Sequence, residues 1–348
     1  MGITGIVRDN RYIDHRPGDY HPESPRRLEV IYAMLDEPEM SGHFSEIAVR
    51  KATKGELLRI HSSDYIDAVA ETEGKPYVSL DADTTTSSGS YNAALLAAGG
   101  LCQAIDKVIL GELRNALALV RPPGHHAERN RGMGFCLFNN VAVAARYAQD
   151  AHGLKRILIV DWDLHHGNGT QHSFEADPSI LYFSTHQYPH YPGTGAFHET
   201  GKDLGTGFTV NVPLSSGYGD GEYVAIFENI LKPIARQFEP ELILVSTGFD
   251  IYQDDPLGGM LVTPSGFACL TRSIMDMADA CCEGRAVFTL EGGYNLTGLR
   301  DSVKAVLKEL SGMSKSDCGN MTSRADHQNL DYILKQVRTF HGKFWRKL

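Results

Sequence analysis

The sequence lacks the features of a membrane or secreted protein. It contains no run of about 18 consecutive apolar residues, the length that a membrane-spanning helix needs. The alanine- and glycine-rich segment 91–105 comes nearest, but polar residues interrupt it. The first residues, MGITGIVRDNR, lack the basic region and apolar core of a signal peptide. We therefore expect no membrane association and a cytoplasmic location.

Paired cysteines and an excess of basic residues are also missing. No two cysteines form a Cys-x-x-Cys pair, which predicts reduced thiols instead of a disulfide framework. The six are Cys102, Cys136, Cys269, Cys281, Cys282 and Cys318. With 33 basic against 43 acidic residues the net charge is −10, which disfavours binding to nucleic acids and anionic membranes. Cationic partners such as lysine-rich tails or polyamines are mildly favoured.

Two motifs that would indicate other enzyme classes are absent as well. There is no Gly-x-Ser-x-Gly elbow, which disfavours a serine hydrolase. There is no Gly-x-Gly-x-x-Gly fingerprint of a dinucleotide-binding fold.

Short apolar runs alternate with amphipathic segments along the chain. Predicted strands are Ala116–Val120, Arg156–Asp161, Ile180–Ser184, Phe208–Val212, Leu242–Thr247 and Ala286–Leu290, and predicted helices are Asn139–Ala151, Asp220–Phe238, Pro264–Cys282 and Leu299–Leu310. Continuous apolar strands such as ILIVD indicate a parallel sheet buried on both faces. The alternation predicts an α/β fold, a three-layer αβα sandwich around a parallel sheet.

We predict that residues 1–348 form a single domain, because the chain has no internal repeat and no low-complexity linker. A polar connection at 311–324 leads to a last predicted helix at about 328–341.

Polar clusters follow the predicted strands, at the sheet edge where parallel sheets bind ligands. In DWDLH, residues two apart point to one side of an extended chain, so Asp161, Asp163 and His165 should converge. Asp250 follows another strand in STGFD. Two carboxylates and one imidazole form a zinc set that leaves one coordination position open. A purely structural role as helix caps is the alternative for these acids.

Two adjacent histidines, His125 and His126, follow the stiff segment RPPG in the same layer. A neutral histidine beside a metal is a candidate general base. We predict structural roles for His166 and His172, and an exposed loop for His186 and His190.

A glycine pair precedes a tyrosine after the last strong strand, in LEGGYN. The glycines allow close approach of the backbone, and Tyr294 is then placed to donate to a developing oxyanion. By itself, this pattern is more often a simple turn.

Together the motifs RPPGHH, GFCLFNN, DWDLHHGNGTQ, STHQYPHYPGTG, STGFD and LEGGYN resemble the histone deacetylase and acetylpolyamine amidohydrolase superfamily. The match runs in order from about His21 to about Leu310. The resemblance implies an arginase-like fold with a parallel sheet of about eight strands and a single deacetylase-like catalytic domain.

The resemblance also assigns roles to individual residues. It implies zinc held by Asp163, His165 and Asp250, with His126 as general base and acid, His125 as its electrostatic neighbour, Asp161 and Asn168 as the partners of the two histidines, and Tyr294 on the oxyanion. It implies structural potassium near Asp161, Asp163, His165 and Ser184, and a second potassium near Phe174 and Phe208. It places Phe135, Tyr191, Gly134 and Gly293 on an acyl-lysine tunnel and Arg27 by an acetate-release channel.

The sequence departs from the commonest family pattern at two of these positions. Asn168 stands where many class I enzymes have aspartate, and this changes the electrostatics of His126. Asparagine is the usual residue here in the class II branch and in bacterial relatives. Tyr191 stands where phenylalanine is commoner and adds a hydroxyl to the tunnel wall.

The sequence therefore predicts a zinc-dependent amidohydrolase that removes acyl groups from lysine in peptides or proteins. Acylated polyamines and other small acyl amines are the alternative substrates, and a non-catalytic acyl-lysine binding module is a further alternative. An arginase-type two-metal enzyme is disfavoured because Tyr252 replaces a second bridging acid. The oligomeric state stays open, with a homo-oligomer as one alternative, as does the identity of the divalent metal.

Overall fold

A computed structural model describes residues 3–346 and Leu348, and eight of its strands form one parallel sheet. The strands, in chain order, are β1 (Thr4–Val7), β2 (Ser45–Glu46), β3 (Val78–Ser79), β4 (Thr85–Thr86), β5 (Asn115–Ala118), β6 (Ile157–Asp161), β7 (Ile180–Gln187), β8 (Thr209–Leu214), β9 (Leu242–Thr247) and β10 (Ala286–Leu290). The sheet order is β2-β1-β5-β10-β9-β6-β7-β8, while β3 and β4 form a separate antiparallel pair.

Complete burial explains why the central strands are mostly apolar. Every residue of β6, β9 and β10 is buried, as expected for strands covered on both faces. The six predicted strands are confirmed with small shifts at their ends. The sequence prediction did not locate β1 and β2, because they have four and two residues and pair with segments distant in the chain.

Helices flank the sheet and complete the three-layer α/β fold. They are α1 (Arg26–Leu35), α2 (Lys54–Leu57), α3 (Ser63–Ala70), α4 (Ser90–Ile109), α5 (Asn140–His152), α6 (Asn168–Phe174), α7 (Asp220–Ile226), α8 (Lys232–Phe238), α9 (Pro264–Cys281), α10 (Leu296–Ser311) and α11 (His327–His341). The π-helical turn Phe227–Leu231 joins α7 to α8, so the predicted helix Asp220–Phe238 is one continuous segment. In one layer α4 packs on α5, and in the other α9 packs on α10.

Side-chain caps fix where several of these helices begin. Asn139, Thr263 and Asn295 each accept a hydrogen bond from a backbone N–H in the first turn of the next helix. The alanine- and glycine-rich segment 91–105 lies in α4, most of which is buried. Among the described residues, no helix has both the length and the apolar character needed to cross a membrane.

The prediction that all six cysteines are reduced thiols is wrong for one pair. Cys269 of α9 and Cys318, in the segment after α10, form a disulfide with their Cα atoms 5.6 Å apart. The two are 49 residues apart in sequence, so only the tertiary fold brings them together. The other four cysteines are free.

The last helix carries a buried histidine that makes the fold sensitive to acid. Neither ring nitrogen of His341 has a hydrogen-bond partner within the described chain, and burial lowers its pKa to about 4. An unfolded chain binds a proton at this position below about pH 6.5. Stability from the neutral ring is therefore complete above about pH 6.5 and is lost as the pH falls toward 4.

We expect the His341→Leu variant to lose less stability on acidification than the wild type. Between pH 7.5 and pH 5 the wild-type histidine should cost about 2 kcal/mol of unfolding free energy that the leucine does not. Urea denaturation of both proteins at the two pH values measures this difference. His198→Leu, at an exposed position, is the control and should follow the wild type. An identical pH dependence for His341→Leu and wild type would contradict the prediction.

Candidate metal centre and active site

The candidate site lies at the carboxyl ends of the four strands in the middle of the sheet. The neighbouring strands there are β5, β10, β9 and β6. The histidine pair follows β5, Tyr294 follows β10, Asp250 follows β9, and Asp163 and His165 follow β6. Because these strands are adjacent and parallel, segments far apart in sequence meet at one edge of the sheet.

Three side chains form a cluster that could hold a metal ion. Ligand atoms of Asp163, His165 and Asp250 all lie within 4.8 Å of one another. His165 Nδ1 is 3.2 Å from an oxygen of Asp163 and 3.2 Å from an oxygen of Asp250. Within the described residues this is the single group of three or more such side chains that could hold an ion. A two-metal site would need a second acid at position 252. Tyr252 stands there instead and packs against Gly298.

The chemistry of the cluster fits one divalent cation. Both carboxylates are buried, and burial together with the charge of Asp163 raises the pKa of Asp250 to about 7. Although burial opposes it, hydrogen bonds to the two carboxylates raise the pKa of His165 to about 9. A cation between the carboxylates would remove their mutual repulsion. Two oxygens and one nitrogen are also a ligand set that zinc accepts.

Close backbone approach is necessary around this cluster. A Cβ atom at Gly292 would collide with the carboxylates of Asp250 and Asp163. The Gly292 N–H instead donates to Asp163 at 2.9 Å. This is the close approach predicted for the glycine pair before Tyr294.

Asp161 does not join the three ligands, contrary to the predicted convergence. β6 ends at Asp161, so the extended geometry assumed for the segment does not continue. The Asp161 carboxylate instead lies 3.0 Å from His125 Nδ1 and accepts from the Tyr182 hydroxyl at 3.1 Å. It is therefore the partner of the first histidine, as the resemblance implied.

The two adjacent histidines have opposite electrostatic environments. Burial disfavours a charge on His125, but Asp161 and Asp163 outweigh it and raise its pKa to about 10. Burial, with the neighbouring His125 and His165, lowers the pKa of His126 well below its usual value. His126 Nδ1 lies 2.8 Å from the amide oxygen of Asn168. One imidazole is thus arranged to be cationic and the other to be neutral.

Above the cluster is a pocket of about 380 Å³. Its lining residues are Asp83, His126, Gly134, Phe135, His165, His190, Tyr191, Pro256, Leu257 and Tyr294. The predicted tunnel residues Phe135, Tyr191 and Gly134 thus line it together with His165 of the cluster. Gly134 and Phe135 both have positive φ, and a Cβ atom at Gly134 would collide with the His126 ring.

Gly293 and Arg27 lie behind the pocket wall instead of on it. The buried Arg27 donates to the carbonyl of Gly293 at 2.7 Å and to that of Glu291 at 2.5 Å. Its guanidinium lies 5.1 Å from the centre of the Tyr294 ring. Arg27 therefore supports the loop that carries Tyr294, and a release channel beside it stays a prediction.

The predicted potassium residues are divided between two regions. Ser184 pairs in register with Asp161 on the neighbouring strand, and its hydroxyl lies 2.9 Å from His186 Nδ1. Phe174 packs beneath Arg146, and Phe208 packs against Trp345. The potassium sites stay a prediction. His186 is buried on β7, so the expected exposed loop is wrong for it, whereas the half-buried His190 lines the pocket.

Several side chains that organise the site were not identified from the sequence. Glu291 accepts hydrogen bonds from the N–H groups of Gly124 and His125, which fixes the histidine loop. The carboxylate of Asp83 accepts from the Gly134 N–H on the pocket wall. Glu128 accepts from the Asn168 amide at 2.6 Å. Of these three acidic residues, only Glu291 lies within one of the motifs from which the site was predicted, LEGGYN.

Comparisons with known proteins agree with this geometry. The family model of the histone deacetylase domain matches residues 21–310. The chain is 45% identical to histone deacetylase 15 of Arabidopsis thaliana, covering 99% of this chain and 63% of that protein. It is 41% identical to polyamine deacetylase HDAC10 of Danio rerio (93% and 49%) and 37% identical to a probable deacetylase of Archaeoglobus fulgidus (99% and 99%). The crystal structure of the HDA15 HD domain superposes with a TM-score of 0.90 at 40% identity, covering 99% of this chain and 96% of that one. The chain thus spans about half to two thirds of the first two relatives.

Proposed function

Because this chain belongs to the histone deacetylase family, we propose that it is a zinc-dependent hydrolase that removes acyl groups from lysine side chains. The observation that carries the proposal is a pocket lined by His126, His165 and Tyr294, in which His165 also belongs to the three-residue cluster that could hold a metal ion. Zinc bound by Asp163, His165 and Asp250 would polarise the amide carbonyl and acidify a water molecule.

The proposed roles of the protein side chains follow from their contacts. His126 takes a proton from the attacking water, because its Nδ1 faces Asn168 and its Nε2 is left to act as the base. The cationic His125 stays paired with Asp161 and stabilises negative charge nearby. Tyr294 donates its hydroxyl proton in a hydrogen bond to the oxyanion of the tetrahedral intermediate. His126 then returns its proton to the nitrogen of the departing amine.

The walls of the pocket favour an aliphatic chain between the amide and the rest of the substrate. Phe135 and Tyr191 supply aromatic faces, and Pro256 and Leu257 supply apolar ones. Among the described residues that line the pocket, Asp83 alone is a carboxylate. Passing the charged nitrogens of a polyamine along mainly apolar walls costs desolvation energy, whereas the lysine chain carries no charge once acylated.

We expect acetyl-lysine peptides to be hydrolysed with kcat/KM at least about tenfold higher than that of N-acetylputrescine, a difference of roughly 1.4 kcal/mol in transition-state binding. A panel of the two substrates assayed with the zinc-loaded protein measures the ratio. A preference for N-acetylputrescine would favour an acylpolyamine hydrolase, the alternative that the Danio rerio relative supports by its name. Binding of acetyl-lysine peptides without turnover would indicate a non-catalytic module.

A further inference from the structure

A chain of hydrogen bonds leads from His126 away from the pocket toward the protein surface. The His126 ring meets the side-chain oxygen of Asn168 at 2.8 Å, and the side-chain nitrogen of Asn168 donates to Glu128 Oε1 at 2.6 Å. The same carboxylate oxygen lies 2.8 Å from Nδ1 of His172, whose side chain is 41% exposed. Asn168 is buried in the middle of this chain.

A carboxamide has one donor end and one acceptor end, so its orientation has consequences for the histidine beside it. In the observed orientation the amide oxygen faces His126, and an oxygen can only accept a hydrogen bond. The proton of neutral His126 must then lie on Nδ1, which leaves Nε2 unprotonated. The reversed amide would present its N–H to Nδ1 and favour a proton on Nε2, which could not act as a base.

Glu128 makes the reversed orientation unfavourable. With the amide reversed, the Asn168 oxygen would face the Glu128 carboxylate, and two acceptors would meet inside the protein. The other contacts of the amide nitrogen are weaker, at 3.4 Å from the His126 carbonyl and 3.5 Å from Met133 Sδ.

The backbone of Glu128 is anchored on both sides of its Cα atom. The Glu128 N–H donates to the Arg131 carbonyl at 2.9 Å, and the Glu128 carbonyl lies 2.8 Å from His61 Nδ1. His61 is in turn fixed, since its Nε2 accepts from the Asn139 N–H at 2.9 Å. Burial would raise the pKa of Glu128, but its contacts with His172 and Asn168 outweigh burial and the pKa is lowered. The acceptor is therefore an ionised carboxylate on an anchored part of the backbone.

We propose that Glu128 is a positioning residue that holds the Asn168 amide in one orientation and thereby keeps the His126 proton on Nδ1. Its effect on turnover rests on the proposed hydrolase function, but its effect on the His126 tautomer does not.

The Glu128→Ala variant tests this role in the zinc-loaded protein. We expect kcat to fall by about 10- to 100-fold, a part of the roughly 10²- to 10⁴-fold that a positioned general base contributes. The KM for an acetyl-lysine peptide and the zinc content should stay at wild-type values, since Glu128 touches neither substrate nor ligand. Glu128→Gln should keep more activity than Glu128→Ala, because its amide oxygen can still accept from Asn168.

The tautomer itself is observable without any substrate. In ¹⁵N-histidine-labelled protein, with the His126 signals assigned by their loss in His126→Gln, we expect Nδ1–H in the wild type and a population of Nε2–H in Glu128→Ala. Glu175→Gln is the matched control, because it removes a carboxylate that acts on His172 without contacting Asn168. An unchanged tautomer in Glu128→Ala, or a changed tautomer with wild-type kcat, would overturn the proposal.

If Glu128→Ala fails to fold, exchanging the amide and the carboxylate between positions 168 and 128 tests the same contact. Asn168→Asp alone places a carboxylate against Glu128 and should lower kcat. Adding Glu128→Gln restores a donor opposite an acceptor and should recover most of that loss. A double variant whose kcat is no higher than that of Asn168→Asp would contradict the proposed role of Glu128. If the wild type hydrolyses no acyl amine, the proposed function fails, while the tautomer measurement still decides the role of Glu128.

Discussion

We expect the Asp250→Asn variant to lose its metal and its hydrolase activity together. The substitution keeps an oxygen that can accept from the Leu164 N–H, now at 2.9 Å, but removes one of the two negative charges of the cluster. Lewis-acid catalysis contributes several kcal/mol, so kcat/KM should fall by at least about 10³-fold. Zinc content after dialysis against a mild chelator, and deacetylation of an acetyl-lysine peptide, measure the two losses.

A thermal measurement separates loss of metal from loss of fold. Added zinc should raise the Tm of the wild-type apoprotein, since a ligand that binds only the native state stabilises it. The same addition should leave the Tm of Asp250→Asn nearly unchanged. Asp254→Ala, which removes an exposed carboxylate four residues along the same loop, is the control and should behave as wild type. Full activity in Asp250→Asn would refute the metal site, and two bound manganese ions would indicate an arginase-type centre instead.

The fold was predictable from the sequence where burial is complete. Strands such as Leu242–Thr247 begin with a continuous apolar run because both of their faces are covered, and such a run is a strong signal. β2 could not be found in this way, because Ser45–Glu46 is a two-residue edge pairing defined by its neighbour. The prediction of reduced thiols was wrong for Cys269 and Cys318 for a related reason, since their disulfide depends on how the segment after α10 folds back on α9.

The residues of the candidate site were predictable because the chemistry is concentrated in short motifs at strand ends. Strand adjacency then brought Asp163, His165 and Asp250 together. The assumed extended geometry was a poor guide to Asp161, which lies at the last position of its strand and turns to His125.

Residues that support the site carried much weaker signals. Glu128 and Asp83 act through hydrogen bonds to Asn168 and Gly134, which are 40 and 51 residues away in sequence, and no sequence pattern specifies such pairs. Glu23 is a further example, since it is buried between Arg27 and Arg121 and receives hydrogen bonds from both. This buried charged cluster depends on two separate segments, one with Glu23 and Arg27 and the other with Arg121, meeting in the folded protein.

The pairing of each histidine with a different partner gives the site its asymmetry. An aspartate beside His125 favours the cation, whereas a neutral amide beside His126 adds no charge. An aspartate beside His126 as well would favour a positive charge on both rings. The asparagine at 168 therefore suits a general base that must be neutral before the reaction begins.

The Tyr294→Phe variant should lose about 10²- to 10³-fold in kcat, the usual cost of removing one oxyanion donor. Within the described chain the Tyr294 hydroxyl has no hydrogen-bond partner, so its removal breaks no hydrogen bond of the resting protein. The ring keeps its packing against Arg27 and Phe135. Zinc content, Tm and KM should therefore stay at wild-type values while turnover falls, and steady-state kinetics with an acetyl-lysine peptide measure the change.

Tyr191→Phe is the matched control, because it removes a hydroxyl from the other tyrosine that lines the same pocket. Its ring stands edge-on to His126, 5.1 Å between centres, as a wall of the slot. Since that role needs the ring and not the hydroxyl, kcat should change by less than about threefold, a difference of roughly 0.6 kcal/mol. Equal losses in the two variants would mean that both hydroxyls act on turnover, and wild-type turnover in Tyr294→Phe would end the oxyanion role proposed for this residue.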